Sequence, residues 1–194
     1  MLTTERLTLR PFRPDDREDF RALAGHWDVA RMTSDIPHPL MDADARQWLT
    51  PAADEARFAL MEDDVLIGGA GYFLRTAEAA EVGFWLGRAH WGRGFATEAV
   101  KAVLAYGLIQ GNCASFTSSH FTDNPASGRV LAKLGFEPSG TCRIACIARG
   151  DEVAAITYVL SREQAAARLG ITMPPPRPSP SRIGAILGRF TGSM

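Results

Sequence analysis

The sequence predicts a mixed α+β domain, and three observations carry that prediction. Segments that alternate apolar and polar residues are interleaved with segments whose apolar residues recur at helical spacing. Proline, glycine, aspartate and asparagine punctuate the chain between them. Hydrophobic residues make up 46% of the 194 residues and charged residues 22%, which suits one packed domain of ordinary size.

The first alternating segment is "RLTLRPF". Leu7 and Leu9 fall on one face and Arg6, Thr8 and Arg10 on the other, the pattern of a half-buried strand that Pro11 and Pro14 end. Asp15 and Asp16 then open a helix through "REDFRALAGHW", with Phe20, Leu23 and Ala24 on one side. "MDADARQWL" reads as another helix, with Asp42 as its cap and Trp48 and Leu49 buried. "RFALME" and "VLIGGAGYFLR" read as strands joined at Asp63 and Asp64, and "EVGFWLG" as a third. Glycine weakens a strand, so Gly69, Gly71 and Gly83 predict bulges or a close approach.

"HWGRGFATEAV" follows, with two glycines at the mouth of a helix. Ala96, Ala99, Val100, Val103, Leu104, Gly107 and Leu108 give that helix an apolar face. "CASFTSSHF" reads as a strand. In "DNPASGRVLAKLGF", Asn124 caps a helix and Pro125 takes its first position. Val130, Leu131 and Leu134 form the buried stripe, and Gly135 ends the helix in the left-handed conformation. "TCRIACIAR" and "VAAITYVL" predict a hairpin about "GDE". The composition shifts at Gly170. "ITMPPPRPSPSR" is a proline-rich linker, and "IGAILGRF" is a short apolar patch suited to docking on the body or on a second copy, a homodimer. The folded domain is therefore read as 1–169 and the tail as 170–194.

The bulk numbers exclude several classes. A net charge of −1 gives no electrostatic footprint for nucleic acid or a charged membrane surface. No apolar run approaches the roughly 20 residues that span a bilayer. Three cysteines form neither a disulfide framework nor a metal-ligand pattern, so no metal is expected and a reducing cytoplasm is the expected location.

The glycine-flanked helix start has a physical use. A helix N-terminus offers free N–H groups and the positive end of a dipole, ready for a phosphate. Gly94 and Ala96 keep side chains clear of it, and Arg93 adds a cation at the rim. "EVGFWLGRAHWGRGFATEA" followed by "DNPASGRVLAKLGF" resembles the GNAT acyltransferases. The likeness is closer to the branch that holds the ribosomal-protein N-terminal acetyltransferases (RimJ/RimL-like), whose opening and closing elements "ERLTLRPFRPDD" and "AAITYVLSREQ" resemble. The resemblance covers Thr4 to Gln164. Trp91 stands where the family motif has Gln or Arg, a departure this branch shares.

The resemblance implies a mostly antiparallel sheet flanked by helices, with two splayed parallel strands that hold coenzyme A. It implies acetyl-CoA as cosubstrate. Its diphosphate would lie on Trp91, Gly92, Arg93, Gly94, Phe95, Ala96 and Thr97, and its pantetheine along Phe84, Trp85 and Leu86. A bulge at Gly83 would drive the splay, and an N–H near Leu86 would face the thioester carbonyl. Asn124 and Ser127 would reach the pantetheine or the thiol. For catalysis, Glu81 is the candidate base, with Glu78 its rival. The family's usual Tyr acid is replaced by Leu131, which leaves Ser127, His120 or water as proton donor. The implied activity is acetyl transfer to a primary amine, on a protein N-terminus or a small molecule. The alternative is an acyl-CoA-binding module without efficient catalysis.

Overall fold

The structure is a computed structural model that describes residues 1–50, 52–76, 79–111 and 113–172. Eight strands among these residues form one sheet: β1 Leu2–Thr3, β2 Thr8–Pro11, β3 Glu55–Glu62, β4 Val65–Leu74, β5 Ala79–Leu86, β6 Ser115–Phe121, β7 Glu137–Cys146 and β8 Asp151–Ser161. Their spatial order is β1-β2-β3-β4-β5-β6-β8-β7. Only β5 and β6 run parallel; the other neighbours are antiparallel. The helices are α1 Arg17–Ala24, α2 Trp27–Ala30, α3 Asp42–Leu49, α4 Phe95–Ile109, α5 Pro125–Leu134 and α6 Arg162–Leu169. The architecture is the expected α+β one, a mostly antiparallel sheet between two helical layers.

Strand alternation explains the two layers. Leu9, Leu60, Ile67, Val82 and Phe116 project to one face, where α4, α5 and α6 cover them. Ala59, Met61, Leu66 and Trp85 project to the other, under α1, α2 and α3. Phe20, Phe95 and Phe116 are fully buried, and each such ring contributes about 1.5–3 kcal/mol. The β3–β4 turn is made by Asp63 and Asp64, both at positive φ (47° and 65°), a conformation aspartate tolerates.

Several local expectations need correction. Asp16 is the N-cap of α1, which starts at Arg17, but with Asp15 it also lies in a 3-10 turn, Pro14–Asp16, and its carboxylate is spent on Arg10 and on the Arg13 N–H rather than on the helix. The predicted helix breaks at Gly25, and His26 caps the separate α2. Met41, not Asp42, is the α3 N-cap; Asp42 is the first helical residue and pairs with Arg17 and Arg46. Trp48 and Leu49 are half-buried, and Ala45 is the buried residue of α3. Residues Ile147–Arg149 form a 3-10 turn rather than strand, so the β7–β8 hairpin turns through them and Gly150.

One expectation holds closely. Asn124 caps α5 and Pro125 opens it, while Gly135 ends it at φ 88°. Ser161 caps α6, which ends at Leu169 with Gly170 at φ 65°. The linker and patch beyond residue 172, like Glu78, lie outside the described residues. No described helix is long and apolar enough to cross a membrane.

Candidate active site

The site begins where two strands part. β5 and β6 pair only from Ala79 to Glu81 and from Ser115 to Thr117. Beyond that point each keeps its antiparallel partner: β5 stays with β4 as far as Leu86, and β6 with β8 as far as Phe121. The gap between them needs no bulge. The β4–β5 register is unbroken through Gly83, so the bulge expected there is absent; an irregularity lies instead between Leu60 and Met61 on β3. Gly69 and Gly71 are sites of close approach. A Cβ on Gly69 would lie 2.6 Å from Trp85 Nε1, and one on Gly71 2.2 Å from the Ala56 carbonyl oxygen.

Ladder alternation decides which backbone groups face the gap. Gly87 N–H donates to Ile67 O at one end of the β4–β5 pair, and Arg75 N–H to Ala79 O at the other. The odd-numbered residues of β5 therefore bond β4, and Val82, Phe84 and Leu86 turn their N–H and C=O groups toward β6. Two carbonyls there are taken: Ser118 Oγ donates to Val82 O (2.9 Å) and Trp91 Nε1 to Leu86 O (2.8 Å). The Phe84 and Leu86 N–H groups open onto a cleft of about 920 Å³.

The far wall of this cleft is the start of α4. Gly92 and Gly94 adopt φ of 75° and 86°, which a residue with a side chain rarely takes, and Gly94 is the N-cap. The first turn leaves N–H groups at Phe95, Ala96 and Thr97 without intrahelical partners. Trp91, Gly92, Gly94, Ala96 and Thr97 line the cleft. The side chains of Arg93 and Phe95 do not. Phe95 is fully buried in the core. Arg93 is forked onto Glu62 (2.9 and 2.5 Å) and stacked on the Phe95 ring, so it is no free cation at the rim.

The third wall is α5. Asn124 Oδ1 accepts the Ser127 N–H (3.3 Å), the cap its sequence suggested, and both residues line the cleft. Asp123 beside them accepts from Arg31 and Arg149. The Arg149 hydrogen bond, with both guanidinium charges, holds its carboxyl below the usual range against the opposing effect of burial. Arg129 and Lys133, one turn apart, also face the cleft. Sequence reasoning passed over them, although their i,i+4 spacing on an amphipathic helix was a usable signal.

His120 reaches the cleft, yet both ring nitrogens are engaged. Nδ1 lies 2.8 Å from Phe121 O and Nε2 3.2 Å from the Tyr158 hydroxyl. A carbonyl only accepts, so Nδ1 carries a proton toward Phe121, while Nε2 is held against the Tyr158 hydroxyl. Leu131, which the resemblance set at the place of the family's Tyr, is fully buried in the core. Tyr72 borders the cleft, but its hydroxyl lies against Gly111, near the C-terminal end of α4; burial pushes its pKa up to about 12.

The opposite face of β5 carries a different set. Glu81 lies at the parting point, lines the cleft and accepts from Arg75 Nε at 2.7 Å. Trp48 stacks on Phe20 (4.5 Å) and lies under Arg57 (4.1 Å), while its Nε1 donates to Asp35. Arg57 also pairs with Glu55. The cleft is thus a through-passage: backbone donors on one side, aromatic rings and paired charges on the other, Glu81 between.

Residues 6–137 match the family described as "Acetyltransferase (GNAT) domain". The chain belongs to the GNAT acetyltransferase family. It is similar to the uncharacterized N-acetyltransferase p20 of Bacillus licheniformis, at 33% identity over 154 residues, 73% of this chain and 85% of that one. Its fold is similar to a spermidine N-acetyltransferase from Vibrio cholerae solved with CoA and spermine. That likeness has a TM-score of 0.71 at 18% identity, over 82% of this chain and 98% of that one. It is similar also to RimL, the ribosomal L7/L12 α-N-protein acetyltransferase, solved with coenzyme A. There the TM-score is 0.72 at 17% identity, over 82% and 96% of the two chains. This GNAT chain is an acyltransferase, and acetyl-CoA is the cosubstrate of its chemistry. Among the described residues no group of three His, Cys, Asp or Glu side chains is placed to hold a metal ion.

Proposed function

We propose that the chain transfers the acetyl group of acetyl-CoA to a primary amine, on a protein N-terminus or a small molecule, by direct attack in a ternary complex. The observation that carries this reading is the parting of β5 and β6 beside a left-handed glycine loop at a helix start. The parted strands present N–H groups for the pantetheine amides, and the loop presents N–H groups for the diphosphate. Arg129 and Lys133 add cations on the facing helix.

The thioester carbonyl lies at the Leu86 N–H, which donates a hydrogen bond to the oxygen as negative charge grows there in the tetrahedral intermediate. The acceptor enters from the aromatic side. Its ammonium gives a proton to Glu81, directly or through water, and the free amine attacks the carbonyl carbon. The intermediate collapses as the C–S bond breaks, and its nitrogen, positively charged after the attack, gives up its second proton to water, which resupplies the group that protonates the thiolate. The CoA thiolate leaves and takes a proton from Ser127 or water, since both nitrogens of His120 are held within the fold. An α-amine titrates near ~7.7–8.0 and a lysine near ~10.4, so an α-amine asks least of Glu81 at neutral pH. Residues 1–169 form the transferase domain and 170–194 a tail, in a protein that works in the cytoplasm.

The test is release of free thiol from acetyl-CoA against a panel of amines, with mass spectrometry of the products. The expected result is one thiol released for each acetyl group gained by an amine. Tight acetyl-CoA binding with no release above the buffer rate for any amine would favour the acyl-CoA-binding module, the reading that the buried Leu131 supports.

A further inference from the structure

The diphosphate loop is held from outside by the N-terminal segment. Thr4 and Leu7 close a tight turn between β1 and β2 through Thr4 Oγ1 and both backbones. That turn presents its polar groups to Glu98, in the first turn of α4. Glu98 Oε1 accepts from Thr4 Oγ1 (2.6 Å) and from the Arg6 N–H (2.8 Å). Its Oε2 accepts from Arg6 Nε (2.8 Å) and Nη2 (2.6 Å). The remaining arm of Arg6, Nη1, donates to the Arg93 carbonyl between the two left-handed glycines (2.9 Å). Nη2 lies 3.5 Å from where a Cβ on Gly94 would sit. The Phe95 ring is flanked by both guanidinium groups, Arg6 at 4.6 Å and Arg93 at 4.4 Å.

Two consequences follow for anion binding. First, a carboxylate one turn from a phosphate seat repels the phosphate, and Arg6 neutralises it. Second, the Arg93 carbonyl fixes the peptide orientation between Gly92 and Gly94, and with it the direction of the N–H groups. Arg93 cannot substitute for Arg6, because its own guanidinium is committed to Glu62. We propose that Arg6 is a positioning residue for the diphosphate of acetyl-CoA: through Glu98 and the Arg93 carbonyl it holds the Gly92–Gly94 loop in its binding form. This rests on the diphosphate seat proposed above.

The test compares acetyl-CoA with acetyl-pantetheine, which lacks the diphosphate, in wild type, Arg6→Ala and Arg6→Ala/Glu98→Gln. Loss of a charge-assisted hydrogen bond corresponds to about tenfold or more in affinity. Arg6→Ala should therefore raise KM for acetyl-CoA about tenfold with kcat nearly kept, and leave kcat/KM for acetyl-pantetheine unchanged. Adding Glu98→Gln should recover part of the loss by removing the exposed repulsion. Equal losses on both donors would mark a merely structural role and overturn the proposal, as would no loss on either. A wild type that shows no preference for acetyl-CoA over acetyl-pantetheine would instead remove the seat itself.

Discussion

The two halves of the cleft are built by different means. On the side proposed for acetyl-CoA the groups that line it belong to the backbone: the N–H groups of Phe84 and Leu86, and those at the start of α4. On the side proposed for the acceptor they are side chains from distant parts of the chain, among them Asp35, Trp48, Arg57, Glu81 and Ile144. Backbone geometry depends on a few residues with special conformational freedom, here Gly92 and Gly94. A side-chain surface depends on every residue that lines it. One scaffold can therefore keep its donor while its acceptor changes; proteins of similar fold include a spermidine N-acetyltransferase and the ribosomal L7/L12 α-N-protein acetyltransferase RimL.

That contrast can be broken most sharply at Glu81, where the halves meet. Glu81→Gln should leave acetyl-CoA affinity intact and slow transfer by about 10²–10⁴, the span of general acid–base catalysis. The loss should shrink as pH rises through the amine's own pKa, since solution then supplies the free base. Superimposable pH–rate profiles for variant and wild type would leave Glu81 without a part in proton removal. On the donor side, Gly94→Val puts a β-branched residue at φ 86°. The strain is about 1–3 kcal/mol, so acetyl-CoA affinity in calorimetry should fall by tenfold or more. Normal binding would show that the loop does not hold the diphosphate.

Asn124 separates fold from function. Asn124→Ala removes the α5 cap and should lower stability by about 0.5–2 kcal/mol. A direct role on the pantetheine predicts a further loss of turnover in the folded fraction. If the melting temperature falls and kcat does not, the cap is its whole contribution. A smaller effect is expected at Asp123, whose lowered pKa belongs to the Arg149 and Arg31 contacts. A depressed carboxylate contributes stability that is complete above its unfolded pKa and fades as pH falls toward its folded one. Wild type should therefore lose more melting temperature between about pH 5 and about pH 3 than Asp123→Asn does. The smallest effect is predicted for Arg93→Gln. Its guanidinium is paired with Glu62 and half exposed, and such pairs contribute only ~0–1 kcal/mol, so acetyl-CoA affinity should change less than about fivefold.

The same contrast governs what the sequence revealed. The α5 cap, its proline and its closing glycine were legible because each acts within a few residues of itself. The glycine loop was legible for the same reason. Arg93 was misread because its partner, Glu62, lies 31 residues away and no spacing rule connects them. The splay was expected from family likeness but given the wrong cause: not a bulge at Gly83, but two strands that each keep an antiparallel neighbour. The aromatic wall left no local signal. Trp48 read as a core residue of α3, and only the folded chain brings it under Arg57 and beside Asp35.

Backbone N–H groups in the gap between β5 and β6 and at the start of α4 are the proposed hold on acetyl-CoA. Amide hydrogen exchange followed residue by residue, with and without acetyl-CoA, tests it most directly. The expected result is new protection at Phe84 and Leu86 and across Gly92 to Thr97, with Val159 on the far strand β8 unchanged. Protection confined to α5 or to the aromatic wall, with Phe84, Leu86 and the glycine loop exchanging as before, would contradict it.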